Sequence, residues 1–83
     1  MRKVKLYALS TCAWCRKTKR FLNVHNVEYE FVDVDLLSPT EREPVLEEVR
    51  RWNPRLSFPT VVVDDQEVVV GYDEARLREV LDL

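Results

Sequence analysis

The sequence predicts an α/β fold in the order β-α-β-α-β-β-α, a four-stranded mixed sheet flanked by three helices. Three observations carry this reading. Short runs rich in β-branched and aromatic residues alternate with segments of helical periodicity. The first two of these runs are separated by a helix-length segment, which calls for a parallel pair with a right-handed crossover. The last two are joined by Asp64-Asp65-Gln66 alone, which forces an antiparallel hairpin. At 83 residues the chain, 1–83, reads as a single domain with one modest core.

The elements follow in order. Lys3 to Leu9 reads as a strand, with Val4, Leu6 and Ala8 alternating with Lys5, Tyr7 and Leu9. Ser10 and Thr11 supply helix-start chemistry. Residues 13–25 carry a stripe of Trp14, Thr18, Phe21, Leu22 and His25, with Arg16, Lys17, Lys19, Arg20 and Asn23 on the other side. Asn26 is a left-handed stop, and Val27 to Val34 forms a second strand. After a connection through Pro39, Thr40-Glu41-Arg42-Glu43 has the pattern of a capping box. The helix it opens turns Val45, Leu46, Val49 and Trp52 inward. Pro44 is placed in its first turn, where a missing N–H costs least, and Asn53-Pro54 ends it. Thr60–Val63 and Glu67–Val70 form the hairpin, whose turn type the sequence leaves open. Asp73 caps a last short helix with Leu77, Val80 and Leu81 inward.

Composition narrows the classes of function. The chain is 46% hydrophobic and 34% charged, as in ordinary soluble globular proteins. No apolar run approaches the roughly 20 residues of a membrane span, and Leu6 to Leu9 is too short for the core of a signal peptide. A cytoplasmic location, no membrane and a monomeric state are expected. Residues 1–27 hold seven basic side chains and no acidic one. The acidic remainder and the lack of a nucleic-acid motif argue against a nucleic-acid partner.

Both cysteines lie in Cys12-Ala13-Trp14-Cys15. A bridge between them closes almost no loop, so it cannot serve as a stabilising staple. A closed structural zinc site needs four ligands, and the nearest histidine, the only one in the chain, is His25. The pair is therefore a redox dithiol or part of a metal site.

Taken with Phe58-Pro59-Thr60-Val61 before the third strand and Gly71-Tyr72-Asp73-Glu74 after the hairpin, Cys12-x-x-Cys15 after the first strand resembles the glutaredoxin branch of the thioredoxin fold. The resemblance covers essentially the whole chain. It implies a thioredoxin-like architecture and a thiol–disulfide oxidoreductase that carries electrons in cell redox homeostasis. It also implies a cis Phe58-Pro59 bond beside the dithiol, leaving the Phe58 backbone free to pair with an extended substrate. The loop at Gly71 to Asp73 matches the one that takes the glutamyl end of glutathione.

The spacing assigns distinct roles to the cysteines. The thiolate is the nucleophile in disulfide exchange, and a helix N-terminus, with its unpaired N–H groups and partial positive charge, favours it. Cys12 sits at that end, and the basic run from Arg16 to Arg20 adds to the effect. Cys12 is thus the candidate nucleophile, and Cys15, one turn further in, the resolving thiol. The candidate substrate-binding set is Thr11, Trp14, Phe58, Pro59, Gly71, Tyr72 and Asp73. Trp14 is either an exposed rim for substrate or part of the buried stripe. His25 reads as a helix-end residue and Trp52 as a core anchor.

Two departures bear on the electron donor. Leu9 stands where the family pattern often has a lysine for the tripeptide's carboxylate, and Val70 replaces one of two glycines. Arg55, Arg16 or Lys17 would have to supply the missing cation. The expectation is disulfide-containing protein substrates, no tightly bound cofactor, millimolar recognition of glutathione as a reductant, and better service from a protein reductase. The alternative is a module in which Cys12 ligates a metal or iron–sulfur cluster shared between two chains.

Overall fold

A computed structural model describes residues 2–83. Strand β1 (Val4–Ala8) leads into helix α1 (Ala13–Val24) and strand β2 (Glu30–Asp33). Helix α2 (Pro39–Trp52), the hairpin β3 (Thr60–Val63) and β4 (Glu67–Val70), and helix α3 (Glu74–Leu81) complete the chain. The sheet order is β2-β1-β3-β4. β1 and β2 are parallel, with Lys5 opposite Glu30 and Ala8 opposite Asp33. β1 pairs antiparallel with β3, and β3 with β4. The architecture is the thioredoxin-like one.

The alternation of β1 sorts the core into two layers. Leu6 and Ala8 face α1 and α3, packing with Cys15, Phe21, Leu22, Leu77, Val80 and Leu81. Tyr7 faces the other way, against Val62 and the Val45, Val49 and Trp52 stripe of α2. Trp52 is thus a core anchor, while Leu46 is half-buried. β3, covered on both faces, is four consecutive buried residues, as a central strand requires. The buried Tyr7 hydroxyl donates to Glu48 Oε1 at 2.7 Å, and Lys5 Nζ approaches the same oxygen at 3.3 Å.

Four local expectations need correction. The second strand is Glu30–Asp33, not 27–34. Val27 and Tyr29 are apolar because they pack on the core while the chain climbs from the end of α1 to the sheet edge, and Val34–Leu36 is a 3₁₀ turn. The first strand stops at Ala8, short of Leu9. The capping box of α2 is Ser38 with Glu41, not Thr40 with Glu43, because Pro39 at the first helical position is preorganised for a helix start. Pro44 therefore lies in the second turn, where it removes the bond to the Thr40 carbonyl on an exposed face. Finally, neither Ser10 nor Thr11 caps α1; Cys12 does, in keeping with its place before the first turn. Ser10 instead donates its N–H to Asp35 at 2.8 Å, with its hydroxyl on the same carboxylate.

The expected left-handed stop is present, and the hairpin turn, whose type the sequence leaves open, is defined. Asn26 has φ 56°, and the Val27 N–H closes back on the Leu22 carbonyl at 2.9 Å, a left-handed helix stop. In the hairpin, Asp64 and Asp65 both take positive φ, as a type I′ turn demands and as aspartate tolerates. No helix among the described residues is long and apolar enough to cross a membrane.

Candidate active site

The loop after β1 delivers Cys12 to the N-terminus of α1 in extended backbone conformation. There its sulfur takes the place of a capping oxygen. The Cys15 N–H donates to Cys12 Sγ at 3.2 Å. No acidic residue occupies the first turn. Cys12 is partly exposed and Cys15 is fully buried. The two are free thiols.

Burial decides the state of Cys15. Desolvation pushes its thiol up to about 12, with the hydrogen bond to Cys12 acting in the same direction. The Leu9 N–H at 3.5 Å and the Lys19 ammonium oppose this but do not overcome it. At neutral pH Cys15 is a buried, protonated thiol one turn behind an accessible sulfur.

The basic run does not converge on Cys12 as the sequence suggested. Arg16 donates to the Ser10 carbonyl at 3.4 Å. Lys17 lies over the rings of Trp14 and Tyr72, at 5.1 and 5.2 Å from their centroids. Lys19 pairs with Asp33 at 3.1 Å and covers the Phe31 ring.

Opposite the cap, Phe58-Pro59 is a cis peptide. The Phe58 carbonyl faces Cys12 Sγ at 4.0 Å. The Gly71 N–H donates to the Pro59 carbonyl at 2.8 Å, which ties the loop after β4 to the cis bond. Gly71 has φ +76°, a region in which a side chain at Cβ is strained. Trp14, Phe58, Pro59, Gly71 and Tyr72 line a cleft of about 260 Å³ beside the dithiol. Trp14 resolves as rim, not core: it is 56% exposed and stacks on Tyr72 with centroids 6.0 Å apart.

Five of the seven candidate substrate-binding residues thus share one cleft. Thr11 is exposed on the preceding loop, outside the cleft lining. Asp73 caps α3 by accepting the Arg76 N–H at 3.0 Å, also outside it. Of the cations named as substitutes for the absent lysine, Arg16 and Lys17 flank the site. Arg55 is exposed on the loop after α2, its N–H held by Asn53. A larger cavity, about 450 Å³ beside Val4, Val27 and Leu81, lies at the other end of β1 from the dithiol.

Two supporting residues escaped the sequence reading. Asn53, only 3% exposed, donates from Nδ2 to the Ser57 carbonyl, Ser57 Oγ and Thr60 Oγ1 at 3.0 to 3.1 Å. It clamps both sides of the cis bond. Leu56, in the same loop, takes φ 53° with its side chain in the α2-side core. The Asn-Pro pair looked only like a helix stop, and nothing in that dipeptide signals the clamp. Asp35 was missed too, although its bond to Ser10 fixes the loop that carries Cys12.

A dithiol on a helix start, faced by a cis-proline on a thioredoxin-like sheet, defines a redox-active domain of the thioredoxin superfamily. The chain matches the Glutaredoxin family over residues 4–68 and belongs to that family. Methanoredoxin from Methanosarcina acetivorans superposes with a TM-score of 0.94 at 43% identity, over 98% of this chain and 85% of that one. A glutaredoxin from Methanosarcina mazei gives 0.92 at 47% identity, over 98% and 79%. A glutaredoxin-like 8.6 kDa protein of the Clostridium pasteurianum rubredoxin operon is 29% identical over 95% of this chain and 97% of its own length.

Proposed function

We propose that this glutaredoxin-like protein reduces disulfides of protein substrates in the cytoplasm through Cys12 and Cys15. The observation that carries the reading is the pairing of an accessible sulfur, capping a helix, with a buried thiol whose own N–H it accepts. Cys12, as thiolate, attacks one sulfur of the substrate disulfide. The new bond is a Cys12–substrate disulfide, and the other substrate sulfur leaves as a thiolate and takes a proton. Cys15 then gives up its proton and attacks Cys12 Sγ. The Cys12–Cys15 disulfide forms, the second substrate thiol leaves, and two electrons have passed to substrate.

The Phe58 backbone, held by its cis bond beside Cys12, offers the edge along which an extended substrate pairs. Trp14 and Tyr72 bound that edge with an aromatic face. Electrons return from a protein reductase in preference to glutathione. Leu9 offers no cation at the position where the family pattern often has a lysine. The test is turnover of an insulin-type disulfide with either glutathione plus glutathione reductase or thioredoxin reductase as the source. Faster turnover with thioredoxin reductase is expected. Equal or faster turnover with glutathione would overturn the choice of donor.

A further inference from the structure

We infer that a groove along α1, next to the cleft, docks a segment of the protein substrate that carries an aliphatic side chain flanked by carboxylates. This rests on the disulfide-reductase reading above and adds what the substrate must look like away from its sulfur. The groove, about 360 Å³, is lined by Lys17, Arg20, Phe21, Val24, His25 and Tyr72. Tyr72 also lines the cleft beside the dithiol, so the two depressions are continuous through one ring. Their shared wall is where a chain leaving Cys12 would run.

Reach decides what kind of molecule fills it. α1 rises about 1.5 Å per residue, so Arg20 to Val24 lie roughly 12–18 Å along the helix from Cys12. An extended chain advances about 3.3 Å per residue, so an occupant bonded to Cys12 crosses that stretch roughly four to six residues from its own cysteine. A tripeptide thiol, with one residue on either side of its cysteine, stops short. The groove is therefore a site for a polypeptide.

Charge and polarity decide the chemistry. Val24 is 66% exposed on a helix whose other exposed positions are mostly charged or polar. Beside it the Phe21 ring packs edge-on to His25 at 4.3 Å. This is a small apolar floor. Its rim is basic: among the described residues Lys17 and Arg20 make no ion pair, whereas Lys19 is taken by Asp33. The nearby carboxylate of Glu74 is already engaged by the Tyr72 hydroxyl at 3.1 Å and Arg78 Nε at 3.3 Å. An aliphatic side chain resting on Val24 beside the edge of Phe21, with carboxylates toward Lys17 and Arg20, matches the apolar floor and the two cations that make no ion pair among the described residues. The charge layout of the chain adds steering. Of the seven cations before position 28, Arg2, Lys3, Lys5 and Lys19 are paired with carboxylates, so Arg16, Lys17 and Arg20 of α1 carry the positive charge that steers an acidic partner toward that helix.

The experiment uses peptides with one cysteine blocked as a mixed disulfide with mercaptoethanol, followed four residues on by Glu-Leu-Glu, Lys-Leu-Lys or Glu-Ser-Glu. Single-turnover reduction by the pre-reduced protein is followed at low and high salt. The Glu-Leu-Glu peptide should react about tenfold faster than the Lys-Leu-Lys one at low salt, with the gap narrowing as salt is added. It should also outpace Glu-Ser-Glu. Arg20→Glu should invert the charge preference, and Val24→Asp should erase the leucine preference, while both reduce hydroxyethyl disulfide at the original rate. Equal rates for the three peptides would overturn the proposal, as would variants that slow every substrate alike. The same peptides with serine for cysteine separate docking from chemistry. Amide shifts at Arg20, Val24 and His25 support the groove even if no disulfide is reduced. Their absence up to millimolar peptide, or the same shifts with glutathione, refutes it. Failure to reduce hydroxyethyl disulfide would strike the reductase reading instead.

Discussion

Replacing Asn53 by alanine should loosen the cis-proline loop and with it the mouth of the active site. Asn53 Nδ2 has two protons and three acceptors, the Ser57 carbonyl, Ser57 Oγ and Thr60 Oγ1. At about 1 kcal/mol net for each proton's bond, with some packing lost, Asn53→Ala should cost about 2–3 kcal/mol. That is a large share of the roughly 4–12 kcal/mol expected for a domain of this length. Asn53→Asp keeps the shape but faces a carbonyl and two hydroxyls with a carboxylate that cannot donate, so it should be at least as costly at neutral pH. Urea denaturation gives the stability. Single-turnover reduction of a peptide disulfide, measured well below the unfolding midpoint, gives the effect on the site. The Phe58 carbonyl borders Cys12 Sγ, so peptide reduction should slow more than reduction of hydroxyethyl disulfide. A cost below about 0.5 kcal/mol, or equal slowing of both substrates, would show that Asn53 is not the clamp.

Other outcomes follow from the same geometry. Iodoacetamide should modify Cys12 and spare the buried Cys15 from about pH 6 to 9, and faster labelling of Cys15 would reverse their roles. Cys15→Ser should form mixed disulfides with protein substrates and fail to release them without an added thiol; full turnover by this variant would rule out a resolving role. Gly71→Ala, at φ +76° with open space around the added methyl, should cost about 1–2 kcal/mol through backbone strain alone, measured by chemical denaturation. Burial holds the Cys15 thiol at about 12 and raises the Tyr7 hydroxyl. Both groups therefore bind protons more tightly folded than unfolded. Stability should be full below about pH 8.5 and fall as pH rises toward 12. Alkaline thermal melts of Cys15→Ala should show a shallower decline than the parent. Leu9→Lys should tighten glutathione binding about tenfold or more if the missing cation is what limits it, and micromolar binding by the parent protein would contradict that account.

What the sequence revealed and what it hid have physical reasons. The sheet was legible because β3 and β4 are dense in valine and separated by a turn of aspartates that accept left-handed backbone. The dithiol was legible because a helix start is a local feature, set by residues adjacent in sequence. The cleft was legible in part, because the motifs at Phe58 and Gly71 resemble a known pattern. What could not be read depends on contacts between distant segments. Asn53 acts on Ser57 and Thr60 through a loop whose path no local propensity dictates. Asp35 meets Ser10 from 25 residues away. Trp14 sits in the first turn of α1, where periodicity alone gave core and rim equal standing, and Tyr72 on another loop decided for the rim. The capping box failed for a subtler reason: two overlapping patterns were present, Ser38 with Glu41 and Thr40 with Glu43. Pro39 favoured the earlier one and displaced Pro44 into the second turn.

The most direct test of the central claim is stoichiometric. The fully reduced protein is mixed with excess insulin in the absence of any other reductant, and the products are mapped by mass spectrometry. One insulin disulfide should be reduced per chain, and the protein should lose two hydrogens as a Cys12–Cys15 disulfide, with Cys12→Ser inert. Absence of insulin reduction, or reduction that survives Cys12→Ser, would contradict the account.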